Sequence, residues 1–342
     1  MRKVCYKIMV NINDVAKKAG VSKGTVSRFL NDKPYVKRET RASIVKAIKE
    51  LNYYPSKIAV SLKKKKTNMI GLIVADIANP VAAEFSKIIA DYLNIIDYKL
   101  MLMNNRNNES IDSYIDSLME SRVDGIIATA INISEEHLKL LKKINFPFVF
   151  LGSGISNSGL SMVLDDDYRG SYLITEYLIK LGHKKIAHIT GDKLGGEVTI
   201  NRHKGFTDAL KKHGIVYKKE YVSESDYSTS GGYNAAIKII SLKSKPTAIF
   251  CVNDYSAYGA MDAVISKGLK VPEDISIVGY DNISISSNKL INLTTVDLPK
   301  YEMAKKAVEI LIFKIKNREN DKGFKSVIAP KLVIRESAKQ IC

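Results

Sequence analysis

INDVAKKAGVSKGTVSRFLN, residues 12–31, decides how the rest of the chain is read. Its spacing describes two short helices joined by a tight turn. Asn13 is placed to N-cap the first, its side-chain oxygen accepting a backbone N–H that the helix leaves open. Val15, Ala16 and Ala19 fall on one face of that helix. Gly20 stands where the chain must leave it, a position that favours a residue tolerating positive φ. Ser22 is a second N-cap, and Val26, Phe29 and Leu30 repeat the apolar stripe. Lys23, Gly24, Ser27, Arg28 and Asn31 then face outward. Two helices of this length, the second polar outside, describe a helix-turn-helix. Its second helix is of the kind that enters the major groove of DNA.

A helical hairpin inside some other domain would show the same spacing, and charge separates the two readings. Residues 1–66 hold 18 of the 53 Lys+Arg and only 4 of the 36 Asp+Glu, a net +14 of the chain's +17. The remaining residues carry 35 bases and 32 acids. Nearly all the excess positive charge therefore lies on the segment with the helix pair, as a phosphate-binding module requires.

Composition limits the alternatives. At 342 residues with 45% hydrophobic content the chain reads as two or three compact globular units. No apolar run reaches the length of a membrane span. The first ten residues, MRKVCYKIMV, lack the apolar core and cleavage site of a signal peptide, so the expected location is the cytoplasm. Met9 is the expected start, with residues 1–8 an extension without structure. Cys5, Cys251 and Cys342 are scattered, so they read as free thiols and neither a disulfide framework nor a metal site is expected. No cofactor is expected either: Gly152-Ser-Gly154 lacks the third glycine of a dinucleotide site, and no phosphate-binding loop of the Walker type occurs.

The headpiece is expected over residues 9–54. Glu39 to Leu51 carries the period of a third helix, ended by Asn52-Tyr53-Tyr54-Pro55. Residues 55–67, PSKIAVSLKKKKT, read as a hinge helix and linker. Leu62 beside four lysines suits an apolar wedge in a minor-groove base step better than a solvated linker. From residue 68 to 342 short apolar strands alternate with amphipathic helices. The strands are MIGLIVA, KLMLM, GIIATA, FPFVFL, then KIAHIT, TAIFCV and ISIVGY. Helices are expected over 80–96, 110–121, 134–143, 168–181, 199–213, 254–267 and 299–317. Such alternation means parallel sheets with helices on both faces, here in two α/β lobes. The lobe switch is expected near 164–168, with return crossings near 292–298 and 325–332. Ligands of such sheets sit beyond the carboxyl ends of the strands, where Asp76–Pro80, Asn253-Asp254 and Tyr280-Asp281 fall.

From about Val10 to Ala338 the chain resembles the lactose/galactose repressor (LacI/GalR) family of bacterial transcription regulators. The resemblance rests on residues 12–31, on YVKRETRASIVKAIKELNYYPSKIAVSL, and on DIANP, RVDGII, LGHKKIAHI, RHKGF, TAIFCVNDYSAYGA, VPEDISIVGYDN, LTTV and VIRES in family order. It implies a periplasmic-binding-protein-like core of type I behind an all-α headpiece. The implied partners are a palindromic double-stranded operator, a small effector and a second copy of the chain, with a tetramer as the larger alternative. Carried over, Lys23, Gly24 and Arg28 take the base-reading positions, with Arg28 able to bond guanine in bidentate fashion. Thr25, Ser27 and Asn31 would hold phosphates, Tyr35 joins the DNA-contacting set, and Leu62 matches the hinge leucine. Arg202, Asn253 and Asp281 are implied to line the effector cleft, Tyr227 to stack on the ligand, and Asn79 to lie in the first cleft loop.

The chain departs from the family pattern at several positions. Gly24 supplies no side chain to a base, Lys37 stands where a capping serine is usual, Gly152-Ser153 replaces an Asp-Arg pair, and Leu298 replaces a glutamine. The expected function is a repressor of carbohydrate-utilisation genes whose operator affinity a sugar controls, with a purine-type corepressor as the alternative. A solute-binding protein without a DNA role and an enzyme on a nucleotide-binding fold are the readings from other classes. The +14 headpiece opposes the first, and the lack of a catalytic triad or nucleotide motif opposes the second.

Overall fold

The computed structural model describes residues 10–30, 34–53, 66–105, 110–129, 133–152, 155, 158–191, 196–317 and 323–341. Residues 1–67 and 68–342 form two compact units. The first contains α1 (Ile12–Ala19), α2 (Lys23–Leu30) and α3 (Arg38–Glu50). Val15, Val26 and Ile44 are fully buried between them, with Ala47 and Tyr53 closing the cluster. The N-cap of α1 is Asn11 rather than Asn13. Asn11 accepts from the Asn13 N–H at 2.8 Å, and Asp14 returns the bond to the Asn11 N–H, a reciprocal capping box. The helix therefore begins two residues earlier than the expected cap at Asn13 placed it. Gly20 ends it at φ 69°, and the Ser22 hydroxyl caps α2 through the Thr25 N–H. Lys37 supplies no capping bond to α3. The hinge segment and Asn31 lie outside the described residues.

The second unit holds two six-stranded sheets. In chain order come β1 (Met69–Val74), α4 (Pro80–Ile95), β2 (Lys99–Asn104), α5 (Asp112–Glu120), β3 (Gly125–Ala128), α6 (Glu135–Lys143), β4 (Phe148–Leu151) and β5 (Ser161–Asp165). Then follow α7 (Asp167–Lys180), β6 (Ile186–Gly191), α8 (Gly196–Lys212), β7 (Val222–Ser225), α9 (Thr229–Ile240), β8 (Ala248–Cys251), α10 (Asp254–Ser266), β9 (Ser276–Asp281) and β10 (Thr294–Asp297). Helix α11 (Lys300–Lys316), β11 (Lys325–Ile328) and β12 (Lys331–Val333) complete the chain.

The first sheet runs β11-β5-β4-β3-β1-β2, all parallel. The second runs β12-β10-β9-β8-β6-β7, parallel except that β12 pairs antiparallel with β10. Central strands such as β1, β4, β8 and β9 are buried almost throughout because helices cover both of their faces, and the first three are apolar nearly end to end. On the first sheet α4 and α11 bury one face around Leu72, Ile89 and Leu311, and α5 and α6 bury the other around Ile115, Ile126 and Phe150. On the second, α9 and α10 cover Ile249 and Ile277, while α7 and α8 cover Phe250 and Val278. Helix α11 thus packs on the first lobe although it follows a strand of the second. The chain passes between lobes three times, at 166, at 298–299 and at 329–330. Leu298 is buried in the first lobe's core.

Three elements escaped the sequence reading: β5, β7 and α9. Strand β7 is half exposed and polar, VSES, so it carries no apolar run. Helix α9 opens TSGG, and its glycines hide the helical pattern. They are there for packing. A Cβ on Gly232 would strike the Ser256 backbone, and one on Gly259 would strike the Thr229 carbonyl and the Tyr233 amide. Helices α9 and α10 approach closely only because both contact points lack side chains. Gly259→Ala should therefore destabilise the second unit by about 1–3 kcal/mol through overpacking, read as a lower urea midpoint. An unchanged midpoint would show that the helices can slide apart freely.

Candidate functional site

On the headpiece, α2 presents Lys23, Gly24 and Arg28 to solvent while Val26 points inward at 0% exposure. Ser27 and Thr25 are half buried, and the Thr25 hydroxyl is 2.9 Å from that of Ser22. The Arg28 guanidinium lies near the open side of Gly24, 3.8 Å from where a Cβ would stand. The bare glycine thus leaves the exposed face of the helix to Lys23 and Arg28. Tyr35 is 93% exposed and sits at φ 85°, a left-handed conformation in which bulky residues are rare. Leu62 and Asn31, both expected at a DNA surface, fall outside the described residues.

In the second unit, parallel topology brings the carboxyl ends of β6, β7, β8 and β9 to one edge. Arg202, in the middle of α8, reaches that edge from below. Its Nε donates to Asp167 at 2.6 Å and its Nη1 to the Val252 carbonyl at 2.6 Å, with Asp281 Oδ1 at 3.5 Å. The guanidinium lies 3.5 Å over the Tyr280 ring, and the Tyr280 hydroxyl donates to Asp165 at 2.8 Å. Asn253 lies two residues beyond the end of β8. Its Oδ1 caps α10 through the Ser256 N–H and its Nδ2 donates to the Tyr227 carbonyl at 3.0 Å. Tyr227 adopts φ 65°, and its hydroxyl is 2.5 Å from that of Thr199. Gly191 is what admits this ring, since a Cβ there would collide with the Tyr227 phenol.

Arg202 is thus paired with Asp281 and Asn253 with Tyr227, and the two pairs meet where Arg202 bonds the carbonyl of Val252, the residue before Asn253. Asn79 is on the first lobe, where it caps α4 through the Val81 N–H at 2.9 Å. No contact links it to the other four among the described residues. The sequence reading missed Asp165 and Asp167, and it placed Tyr280 at a ligand-facing strand end without seeing that its ring stacks on Arg202. The visible signal was the run Asp165-Asp166-Asp167 behind an apolar strand, more acid than a helix cap needs.

The electrostatics follow from burial. Desolvation raises the carboxyls of Asp165 and Asp167 against the pull of Arg202, and neighbouring carboxylates add to it, Asp166 at Asp165 and Asp165 at Asp167. Desolvation likewise pushes Asp281 up to about 7, with Arg202 and Lys300 pulling down. Arg202 stays charged because the surrounding carboxylates outweigh its own desolvation. Asp281 Oδ2 accepts no hydrogen bond among the described residues. Asp254 is pushed to about 6 but is fully engaged: it accepts from the Ile283 N–H and the Ser286 and Thr295 hydroxyls. It ties the turn after β9 to the start of α10. No group of three or more His, Cys, Asp or Glu among the described residues could hold a metal ion. No helix among them is long and apolar enough to cross a membrane.

Comparison with known proteins matches both units. A family model described as bacterial regulatory proteins, lacI family, covers residues 11–56. One described as periplasmic binding proteins and sugar binding domain of LacI family covers residues 67–336. The chain is 38% identical over 333 residues to the HTH-type transcriptional repressor PurR of Pasteurella multocida, spanning 97% of this chain and 99% of that protein. It is 38% identical to the PurR repressor of Vibrio vulnificus over 335 residues, 97% and 100% of the two chains. Among solved structures it is similar to the Lac repressor dimer bound to operator and the anti-inducer ONPF, with a TM-score of 0.85 and 26% identity over 96% of this chain and 99% of that one. A ribose-bound LacI-family regulator from Enterococcus faecium matches with a TM-score of 0.73 and 28% identity, over 80% of this chain and 100% of that one. The helix-turn-helix unit, the two-lobed core and these full-length relatives agree: the chain belongs to the LacI family and is a DNA-binding repressor with a small-molecule effector domain.

Proposed function

We propose that the effector is a hydroxyl-rich small molecule of the sugar class, bound in the cleft at the carboxyl ends of β6–β9, and that it lowers the affinity of a dimer for a palindromic operator in the cytoplasm. The observation that carries this is the Asp281 carboxyl. One of its oxygens faces the buried Arg202, and the other has no protein donor among the described residues. A carboxylate fixed on one side and open on the other is an acceptor for a ligand hydroxyl, and Arg202 beside it is a donor. Tyr227 supplies an aromatic face held by Asn253 and Thr199. Asn253, engaged at both ends of its amide, holds Tyr227 as well as edging the cleft. A purine-type corepressor is the second reading, favoured by the PurR name of the curated relatives at 34–38% identity. Regulation is a coupling free energy between the two units: a ligand that prefers one core conformation shifts operator affinity by its differential affinity.

On the headpiece, Lys23 and Arg28 read bases, while Thr25, Ser27 and Tyr35 fix the register on phosphates. Asn31 and Leu62 belong to the same proposed surface. Arg28→Ala should cost about 1–3 kcal/mol at the cognate operator and relax base preference there. Equal losses on cognate and scrambled duplexes would remove Arg28 from base reading.

The titration of Asp281 gives a second expectation. Its carboxyl is raised to about 7, so it is ionised above that pH and neutral below. If the ligand hydroxyl needs the carboxylate, effector affinity falls about tenfold per pH unit below 7 and levels off above it. Calorimetric titration from pH 5.5 to 8.5 with D-ribose, cellobiose and guanine checks this and separates the ligand classes. Asp281→Asn should retain operator binding and lose the ligand response. A pH-flat affinity, or a normal response in that variant, would take Asp281 out of the site.

A further inference from the structure

The turn that carries Asp281 is strained in two consecutive residues. Asp281 sits at φ 109° and Asn282 at φ 48°, neither a glycine. Such a conformation persists only where its surroundings over-determine it. Asp297 and Arg335 hold the Asn282 side chain and Asp254 holds the Ile283 amide, while Lys300 holds the carbonyls of the two strained residues themselves. Its ammonium, buried at 9% exposure, donates to the Asp281 carbonyl at 2.6 Å and to the Asn282 carbonyl at 3.1 Å. Lys300 is the first residue of α11, immediately after the second crossing between the lobes. Its third contact is Glu84 Oε2 at 3.3 Å, from the second turn of α4 on the first lobe. The other Glu84 oxygen accepts from the Ser284 N–H at 3.0 Å, so one carboxylate clasps both the lysine and the far side of the same turn.

We propose that Lys300 and Glu84 are positioning residues for the effector site, a latch that fixes the Asp281 turn and ties it to helix α4 of the other lobe. The reading of Asp281 as the effector contact underlies the word effector here, whereas the latch itself stands on the contacts. Its chemistry suits the task. A lysine at this position offers three donors to two carbonyls and one carboxylate, so none of its protons is left without an acceptor in a buried setting. A ligand that draws on Asp281 shifts a turn whose backbone is bonded to Lys300, and Lys300 is bonded to α4 through Glu84. Movement at the carboxylate therefore reaches the first lobe through two polar contacts rather than through the packed core.

The test is amide hydrogen exchange of the full chain without ligand. Glu84→Ala should speed exchange at Ser284 about tenfold and loosen the first turns of α4 together with it, while β1 and β6 keep wild-type rates. Glu84→Gln should restore protection at Ser284, because its carboxamide oxygen still accepts that N–H. Lys300→Met should loosen 281–284 and α4 in parallel. Unchanged Ser284 exchange in Glu84→Ala, or loosening confined to the turn with α4 at wild-type rates, overturns the latch. Should Asp281→Asn keep a normal ligand response while the turn and α4 still loosen together in Lys300→Met, the effector reading fails and the latch stands.

Discussion

A single buried guanidinium organises the second unit. Arg202 is 5% exposed, and a cation taken that far out of water is unfavourable by several kcal/mol unless its donors are fully used. The chain meets that demand with Asp167, the Val252 carbonyl, Asp281 and the face of Tyr280. Only the planar, forked arginine head can bond in plane to carboxylates and carbonyls while stacking on a ring; a lysine would satisfy fewer of these groups. The carboxylates, in turn, are tolerable inside the protein only because Arg202 is among them.

Those partners lie where the chain changes lobes. Asp165 ends β5, Asp167 begins α7, and the single residue between them is the first crossing. Tyr280 bonds the former and Arg202 the latter, so both ends of the crossing are pinned to the cluster. The second crossing is held nearby: the Asn282 amide donates to Asp297 at 2.8 Å, and Arg335 donates to Asn282 at 2.7 Å from beyond the third crossing. A ligand that alters the charge balance around Arg202 therefore acts where the lobes hinge. Geometry of that kind converts a small local change into a change of lobe position, because a packed lobe moves as a body and does not deform gradually.

Much of this was legible beforehand, for definable reasons. Helices α1 to α3 follow from apolar period and caps, and β1, β4, β8 and β9 from continuous apolar runs that only a doubly covered strand can tolerate. The alternation of such runs with amphipathic helices gave two lobes. What stayed hidden had weak local signals and strong tertiary ones. Strand β7 is polar because one side meets water, and α9 begins with glycines that a neighbouring backbone demands. Asn11 displaced Asn13 as the cap because the reciprocal Asp14 bond fixes the start, a detail apolar spacing does not weigh. Of the residues expected at the effector cleft, the four on one lobe converge, yet the partnerships of Asp165, Asp167, Tyr280, Lys300 and Glu84 were invisible. Each acts through partners at least 18 positions away, pairings that only the fold creates.

Charge distribution explains why regulation is needed in the form it takes. A segment with net +14 in 66 residues binds any duplex through counterion release, and that term ignores sequence. Base-reading groups on an eight-residue helix add discrimination of about 1–3 kcal/mol for each good bidentate pair. The second unit, close to neutral, contributes little to this attraction, so its effector cannot act by neutralising phosphate contacts. It must act by changing the population of the conformation in which the specific contacts form. A coupling of about 1–3 kcal/mol suffices, since it changes occupancy by about 5–150-fold while leaving the nonspecific attraction in place. In whichever direction the effector shifts that population, the nonspecific attraction holds the repressor to bulk DNA between visits to its operator.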